Sequence, residues 1–425
     1  GALARTEQLM TSMFRAPVFE ATLQHGGVLD REDVLVPLQT ESGNSWRVVE
    51  VKASTRVKPE HIHDCAVQAW VHMGAGYPLE RISLAHINNQ FVYQGGGDYG
   101  QLFAEHDLTE QVMDLQPAVP IWVEQAKDAV SGPMPEMPVG QHCSQPYECP
   151  FIDFCWPNET RYPIAGLGGS KKKLGVWVMD GYCDICDVPS WEITAENQLR
   201  IHRVTLSGEP ELLPDARKFT ESLAHPRFYL DFETAGPAIP VWPGTRPYQV
   251  LPFQWSCHIE RAPGVMEHAE FLDLSGEPPM RPLAEQLIRA LEAEGPVLMY
   301  TSYERGVIEG LATMFPDLAM SLLDIVDRLV DLHPVTKASY YHPDMLGSWS
   351  IKAVLPTIAP DMDYARLEGI QEGNAASAAY LEAIDPQTTP ERKEEIRKEL
   401  LKYCKHDTDA MVRLVKFFTH STPVA

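Results

Sequence analysis

The chain has 425 residues, 44% of them apolar, and a formal charge of −24. That length accommodates two or three domains, and so acidic a balance excludes a general nucleic-acid coat protein, which would be basic. No apolar run is long enough to span a bilayer and no export signal opens the sequence, so a cytoplasmic protein is expected.

The first residue is Gly1 rather than Met, which leaves a processed or truncated chain open. Eight cysteines without an export signal point to metal ligation rather than to a disulfide framework.

Residues 1–160 read as mixed helices and strands that end in a Pro/Cys-rich segment. Asp33 opens the apolar run Asp33-Val-Leu-Val36. Further on, Val48-Val-Glu50-Val-Lys52 alternates like a strand, which puts Glu50 and Lys52 on one face. Asp33 and Glu50 are suited to a divalent ion, with Lys52 positioning or polarising an attacking water. A helix is expected next, carrying Asp64 through Gln68, with Tyr77 beyond it. This set resembles the PD-(D/E)XK nucleases in their RecB-like branch. The resemblance implies a restriction-endonuclease-like α/β domain with catalytic Asp33, Glu50, Lys52 and Gln68, a metal on Asp33 and Glu50, and a further acidic contributor at Glu20.

Cys143, Cys149 and Cys155 follow at even spacing. RecB-like nucleases stapled by an iron–sulfur cluster resemble this run, and the resemblance implies that these three cysteines are metal ligands. A 4Fe–4S cluster needs four thiolates, yet no cysteine precedes Cys65 where the fourth is expected. Zinc, completed by His142 or a remote cysteine, stays open. Cys183-x-x-Cys186 has no partner pair nearby and reads as structural, and Lys171 to Lys173 reads as a solvated loop. Residues 161–225 carry few periodic elements and read as a connector.

The region 226–425 opens with a strand over 227–232 and a Pro-rich loop through Pro247. Val250–Glu260 and Val265–Leu274 read as strands of a meander, and Pro282–Glu294 as an amphipathic helix. A short strand, Val297–Tyr300, precedes helices expected at 303–314, 321–330, 349–355 and 375–383. The last helix, 391–418, opens after Thr389-Pro390.

Two signals in this region carry chemistry. The first strand ends in Asp231-x-Glu233, two carboxylates on one strand face. The last helix holds Tyr403 and Asp407, which share one helical face. Two divalent ions about 4 Å apart, gripped by such carboxylates, activate water and stabilise a leaving oxygen. Glu304, where a strand turns into a helix, is the expected further contributor.

This arrangement resembles the DnaQ-like (DEDD) 3′–5′ exonucleases over residues 226–415, in the subclass with Tyr ahead of the last Asp. The resemblance implies an RNase H-like α/β domain with catalytic Asp231, Glu233, Glu304, Tyr403 and Asp407, and with Mg²⁺ or Mn²⁺ on Asp231, Glu233 and Asp407. Glu304 departs from the family, which carries Asp there. The same half resembles a bacterial domain family of unassigned activity with this core. That likeness lies in Asp231-Phe-Glu-Thr234, Thr245-Arg-Pro-Tyr248, Pro252-Phe-Gln254 and Gly347-Ser-Trp-Ser-Ile-Lys352, and from it Arg246, Tyr248, Gln254 and Lys352 are expected to meet substrate.

The expectation is a metal-dependent nuclease acting on nucleic acid, DNA ahead of RNA, with a 3′–5′ exonuclease site and a RecB-like site. An RNA-directed exonuclease and a nucleic-acid-binding scaffold with decayed sites are the alternatives.

Overall fold

The computed structural model describes residues 1–13, 15–41, 43–292, 294–364 and 369–421. The fold is mixed α/β and divides into two units, Gly1–Met137 with Pro237–Gln249, and Pro138–Gly236 with Val250–Ala425. Among the described residues no helix is long and apolar enough to cross a membrane.

Unit 1 runs α1 (Ala2–Met10), β1 (Val18–His25), β2 (Val28–Thr40), β3 (Gly43–Lys52), α2 (Pro59–Gly74), β4 (Leu79–Ile87), β5 (Phe103–Asp107), α3 (Thr109–Leu115) and α4 (Val119–Ser131). Its sheet has the order β1-β2-β3-β4-β5. Gly26 and Gly27, both at positive φ, form the two-residue turn that pairs His25 with Val28. Only β3 and β4 run parallel, because α2 carries the chain back between them. The small residues Cys65, Ala66 and Ala69 let α2 lie close on Leu35, Val48, Ile82 and Leu84.

The segment 237–249 leaves the second half of the sequence and docks in unit 1. Tyr93 N donates to Thr245 O at 3.0 Å, and Gly244 N donates to Tyr93 O at 2.7 Å. The Tyr248 hydroxyl donates to the main-chain oxygen of Ala53, the residue after Lys52.

Unit 2 contains α5 (Ile152–Cys155), α6 (Lys171–Met179), α7 (Glu196–Ser207), β6 (Glu211–Leu212), α8 (Pro214–Ser222), β7 (Arg227–Ala235), β8 (Leu251–Ala262) and β9 (Val265–Leu272). It continues with α9 (Met280–Leu291), β10 (Val297–Met299), α10 (Tyr303–Met314), α11 (Ala319–Asp327), β11 (Leu329–Asp331), α12 (Leu332–Ser339), β12 (Tyr340–Tyr341), α13 (Ile351–Ile358), α14 (Gly373–Ile384) and α15 (Pro390–His420). The main sheet has the order β11-β10-β7-β8-β9. β7, β8 and β9 form an antiparallel meander, and β10 and β11 run parallel to β7. The carboxyl ends of β7, β10 and β11 therefore lie at one edge, where ligands bind in open α/β sheets. α15 starts at Thr389, whose side chain caps Arg392 N, and its face of Ile396, Leu400, Cys404, Met411 and Val415 is buried.

Two expectations are corrected. The domain boundary falls after Met137, not 160, and 161–225 is no connector. Ile164, Trp177, Ile185, Ile201 and Leu212 bury in one core with Tyr340, Trp349, Leu414 and Phe418. Leu212 pairs with Tyr340 in a two-stranded sheet. Short helices each give this core one or two anchors, too few to set a period. The helix expected over 321–330 ends at Asp327, and Leu329–Asp331 is a strand beside β10.

Candidate active sites

In unit 2, β7 delivers Asp231 and Glu233 to the sheet edge. The register with β8 shifts by one residue between Glu233 and Thr234, a bulge-like irregularity beside the site, and the pairing resumes at Thr234 and Pro252. The main chain after β10 is strained, because the β-branched Thr301 has φ +79°. Asp331 holds that turn by accepting from Thr301 N at 2.9 Å and His333 N at 2.8 Å. The turn launches α10 and places Glu304, only 3% exposed, beside Asp231. α15 adds Tyr403 and Asp407, one turn apart on the same helical face.

These side chains converge. Asp231, Glu233, Lys352, Tyr403 and Asp407 line one cleft of about 620 Å³, together with Tyr300 and Tyr303. Glu304 lies behind Asp231 and shares a hydrogen bond with it. Two carboxyl groups can share such a bond only if one holds a proton. Burial raises Asp231 and Glu233 well above the carboxylate range, and neighbouring carboxylates add to this. Burial also pushes Glu304 up to about 7. It lifts Asp407 to about 6, against bonds from Tyr364 and Tyr403 and the charge of Lys352. Glu304 Oε2 is buried without a hydrogen-bond partner. Four carboxyls, Glu233 and Glu304 buried and Asp231 and Asp407 half-buried, offer hard oxygen donors and one orphaned oxygen, a set that fits divalent cations such as Mg²⁺ or Mn²⁺.

Lys352, from the first turn of α13, donates to Gln371 O at 2.8 Å and sits over the rings of Tyr364 and Tyr403. Tyr364, which the sequence reading missed, donates its hydroxyl to Asp407 Oδ1; it lies in a loop, where no period marks it. His406 turns to Met362 O at 2.9 Å. Cys404, also missed, places Sγ 3.7 Å from Asp231 Oδ2. Its signal was its place between Tyr403 and Asp407, three residues before the latter.

The other expected substrate contacts separate. Gln254 is fully buried on β8, and its amide donates to Leu400 O at 2.9 Å. It fastens α15 to the sheet and is not available to substrate. Arg246 and Tyr248 belong to unit 1, not to the unit that holds the cleft.

In unit 1, Lys52 Nζ bridges Glu50 Oε1 and Asp64 Oδ2, each at 2.6 Å. Gln68 donates to Glu50 Oε2 at 2.7 Å. Asp33 Oδ2 accepts from Val51 N at 2.8 Å. Asp33, Glu50, Lys52 and Gln68 thus gather at the end of β3. Burial opposes the Lys52 charge, but the bonds to Asp64 and Glu50 outweigh it and raise its pKa. Lys52 is therefore a fixed cation rather than a proton acceptor. Glu50 is raised mainly by burial.

Asp30 was missed. Burial and then the charges of Glu32, Glu50 and Asp64 push it up to about 7, and its Oδ2 has no partner. Its signal was strand alternation, which aligns Asp30 with Glu32. On α2 the spacing Asp64, Gln68, His72 sets three polar groups against Lys52, Glu50 and Glu32, the last bonded to His72 Nδ1 at 2.8 Å. Glu20 points elsewhere, to Arg31 at 3.7 Å.

The three cysteines of the run differ in exposure. Cys143 is buried in the core of unit 2, Cys149 is half-buried and Cys155 is exposed. Among the described residues, Asp231, Glu233 and Cys404 form the only group of three or more His, Cys, Asp or Glu whose ligand atoms lie within 4.8 Å of one another.

The profile of one protein family, described as a domain of unknown function (DUF2779), matches residues 228–350. That stretch includes Asp231, Glu233 and Glu304 but ends before Tyr403 and Asp407. No curated protein and no solved structure matches the chain.

Proposed function

We propose that unit 2 hydrolyses phosphodiester bonds of nucleic acid from the 3′ end, with DNA favoured over RNA, and that unit 1 holds a second nuclease site of the RecB-like kind. The observation that carries the first reading is the convergence of Asp231, Glu233 and Asp407 in one cleft beside Tyr403, with Glu304 behind Asp231. The sheet order β9-β8-β7-β10-β11, with β7 at the centre and β8 alone running against the other strands, supports an RNase H-like reading of this unit.

Mg²⁺ or Mn²⁺, when bound, supplies Lewis acidity to the water and to the leaving oxygen. Asp231, Glu233 and Asp407 would hold it, and Glu304 would act through Asp231. Tyr403 orients the attacking water from its bond to Asp407. Lys352 faces the phosphate with a positive charge, held in place by Gln371 and two tyrosine rings. In unit 1 the second reading rests on Lys52, which stays protonated between Glu50 and Asp64 and polarises a water there.

The test is cleavage of end-labelled single- and double-stranded DNA, and of matched RNA, with Mg²⁺ or Mn²⁺. Stepwise shortening lost in Asp231→Ala, with residual cutting lost only when Lys52→Ala is added, is the expected result. An unmutated chain that cuts neither polymer would defeat both readings and leave a nucleic-acid-binding scaffold.

A further inference from the structure

We propose that Cys404 is a third ligand of the ion held by Asp231 and Glu233, and that it makes this position select a thiophilic divalent ion, Zn²⁺ or Co²⁺, over Mg²⁺. The inference rests on the metal-site reading of this cleft and adds a ligand to it.

Three observations carry it. The Cys404 sulfur and a carboxylate oxygen from each of Asp231 and Glu233 lie within 4.8 Å of one another. The Sγ to Oδ2 separation of 3.7 Å is close to the roughly 3.5 Å expected between sulfur and oxygen around a tetrahedral zinc. Glu304, nine-tenths buried beside Asp231, keeps Oε2 without a partner behind that carboxyl.

The fold leaves Cys404 no other polar outlet. It is fully buried on the face of α15 that packs on β7, and its sulfur reaches only Asp231, at the main-chain oxygen (3.8 Å) and at Oδ2. When the ion binds, the S–H proton passes to solvent and a metal–sulfur bond replaces it. No redox change is involved. Carboxylates alone suit hard cations, whereas a thiolate shifts the preference toward Zn²⁺ and Co²⁺. Neither Asp231 nor Glu233 needs to move far, because the three ligand atoms already lie within 4.8 Å of one another.

The experiment is a Co²⁺ titration of the full chain, followed in the near ultraviolet for thiolate-to-cobalt charge transfer, with Mn²⁺ binding measured by calorimetry. The expected result is a charge-transfer band that disappears in both Cys404→Ser and Asp231→Asn. Loss in Asp231→Asn ties the band to this cleft rather than to the seven other thiols. Zn²⁺ affinity should fall about tenfold or more in Cys404→Ser, while Mn²⁺ affinity holds within about threefold. Circular dichroism of Cys404→Ser and Cys404→Ala verifies that each folds, and either one suffices for the comparison.

If Mn²⁺ binds the unmutated chain but Co²⁺ gives no band, or the band survives Cys404→Ser, the ligand assignment is overturned and the cleft remains a carboxylate metal site. If neither ion binds the unmutated chain, the metal-site reading itself falls and takes this inference with it.

Discussion

Glu304→Gln removes one ionisable carboxyl from behind the cleft and keeps a side chain of the same shape, whose amide oxygen can still accept from Asp231. In the folded chain burial raises Glu304 from 4.5 to about 7. Between those values the folded state binds more protons than the unfolded state. Stability contributed by this group is therefore complete below about pH 4.5 and is lost as pH rises through about 7. The interval corresponds to about 3 kcal/mol, an upper bound because Asp231 shares the proton.

The assay is urea unfolding in EDTA at pH 5, 6, 7 and 8, followed on the transition of unit 2. The unmutated chain should lose stability across this range. Glu304→Gln should lose less, and at pH 8 should be the more stable of the two by up to about 3 kcal/mol. Added Mn²⁺ should reverse the order, since the unmutated site gains more from binding a cation. Equal pH slopes in EDTA, or a variant less stable at pH 8, would refute the idea that crowded carboxyls strain the metal-free cleft.

Three further outcomes are expected. Tyr403→Phe should lower kcat about a hundredfold with little change in KM, measured on end-labelled DNA, because the hydroxyl is assigned to the water rather than to substrate affinity. Gln254→Leu should cost about 1 kcal/mol in urea unfolding and leave KM unchanged, as its amide holds Leu400 O rather than substrate. Gly347→Ala should destabilise unit 2 by more than about 2 kcal/mol, read as a lower melting temperature. Gly347 has φ +77°, and an added Cβ would fall 1.7 Å from the main-chain oxygen of Gly166.

The cleft of unit 2 was legible because its chemistry sits on regular elements. Asp231 and Glu233 obey the strand period and Tyr403 and Asp407 the helix period, so spacing alone put each pair on one face. Glu304 was found from the strand-to-helix turn that precedes it. Tyr364 was not, since a loop residue reaches its partner through a path that no period encodes. Gln254 was misread for a related reason. Its sequence neighbourhood marks the site, yet on β8 it pairs with Glu233 and turns into the core. Asp33 is marked by the apolar run it opens, whereas Asp30 precedes that run, on the strand face it shares with Glu32. The stretch 161–225 looked empty because its core residues are anchors on short helices rather than stripes on long ones.

The docking of 237–249 in unit 1 has a consequence for how this protein is made and dissected. Translation delivers residues 1–137 well before the segment that bonds Tyr93 and Ala53, with all of 138–236 emerging in between. Unit 1 therefore cannot finish folding on the ribosome until much of the other unit's chain has been synthesised. A single protease nick at the 137/138 junction would not set unit 1 free, because the docked segment remains covalently continuous with β7 and β8 at both of its ends. A gene fragment stopping at Met137 would carry the whole sheet but lack the segment docked on Tyr93 and Ala53, whereas a clean excision requires three cuts.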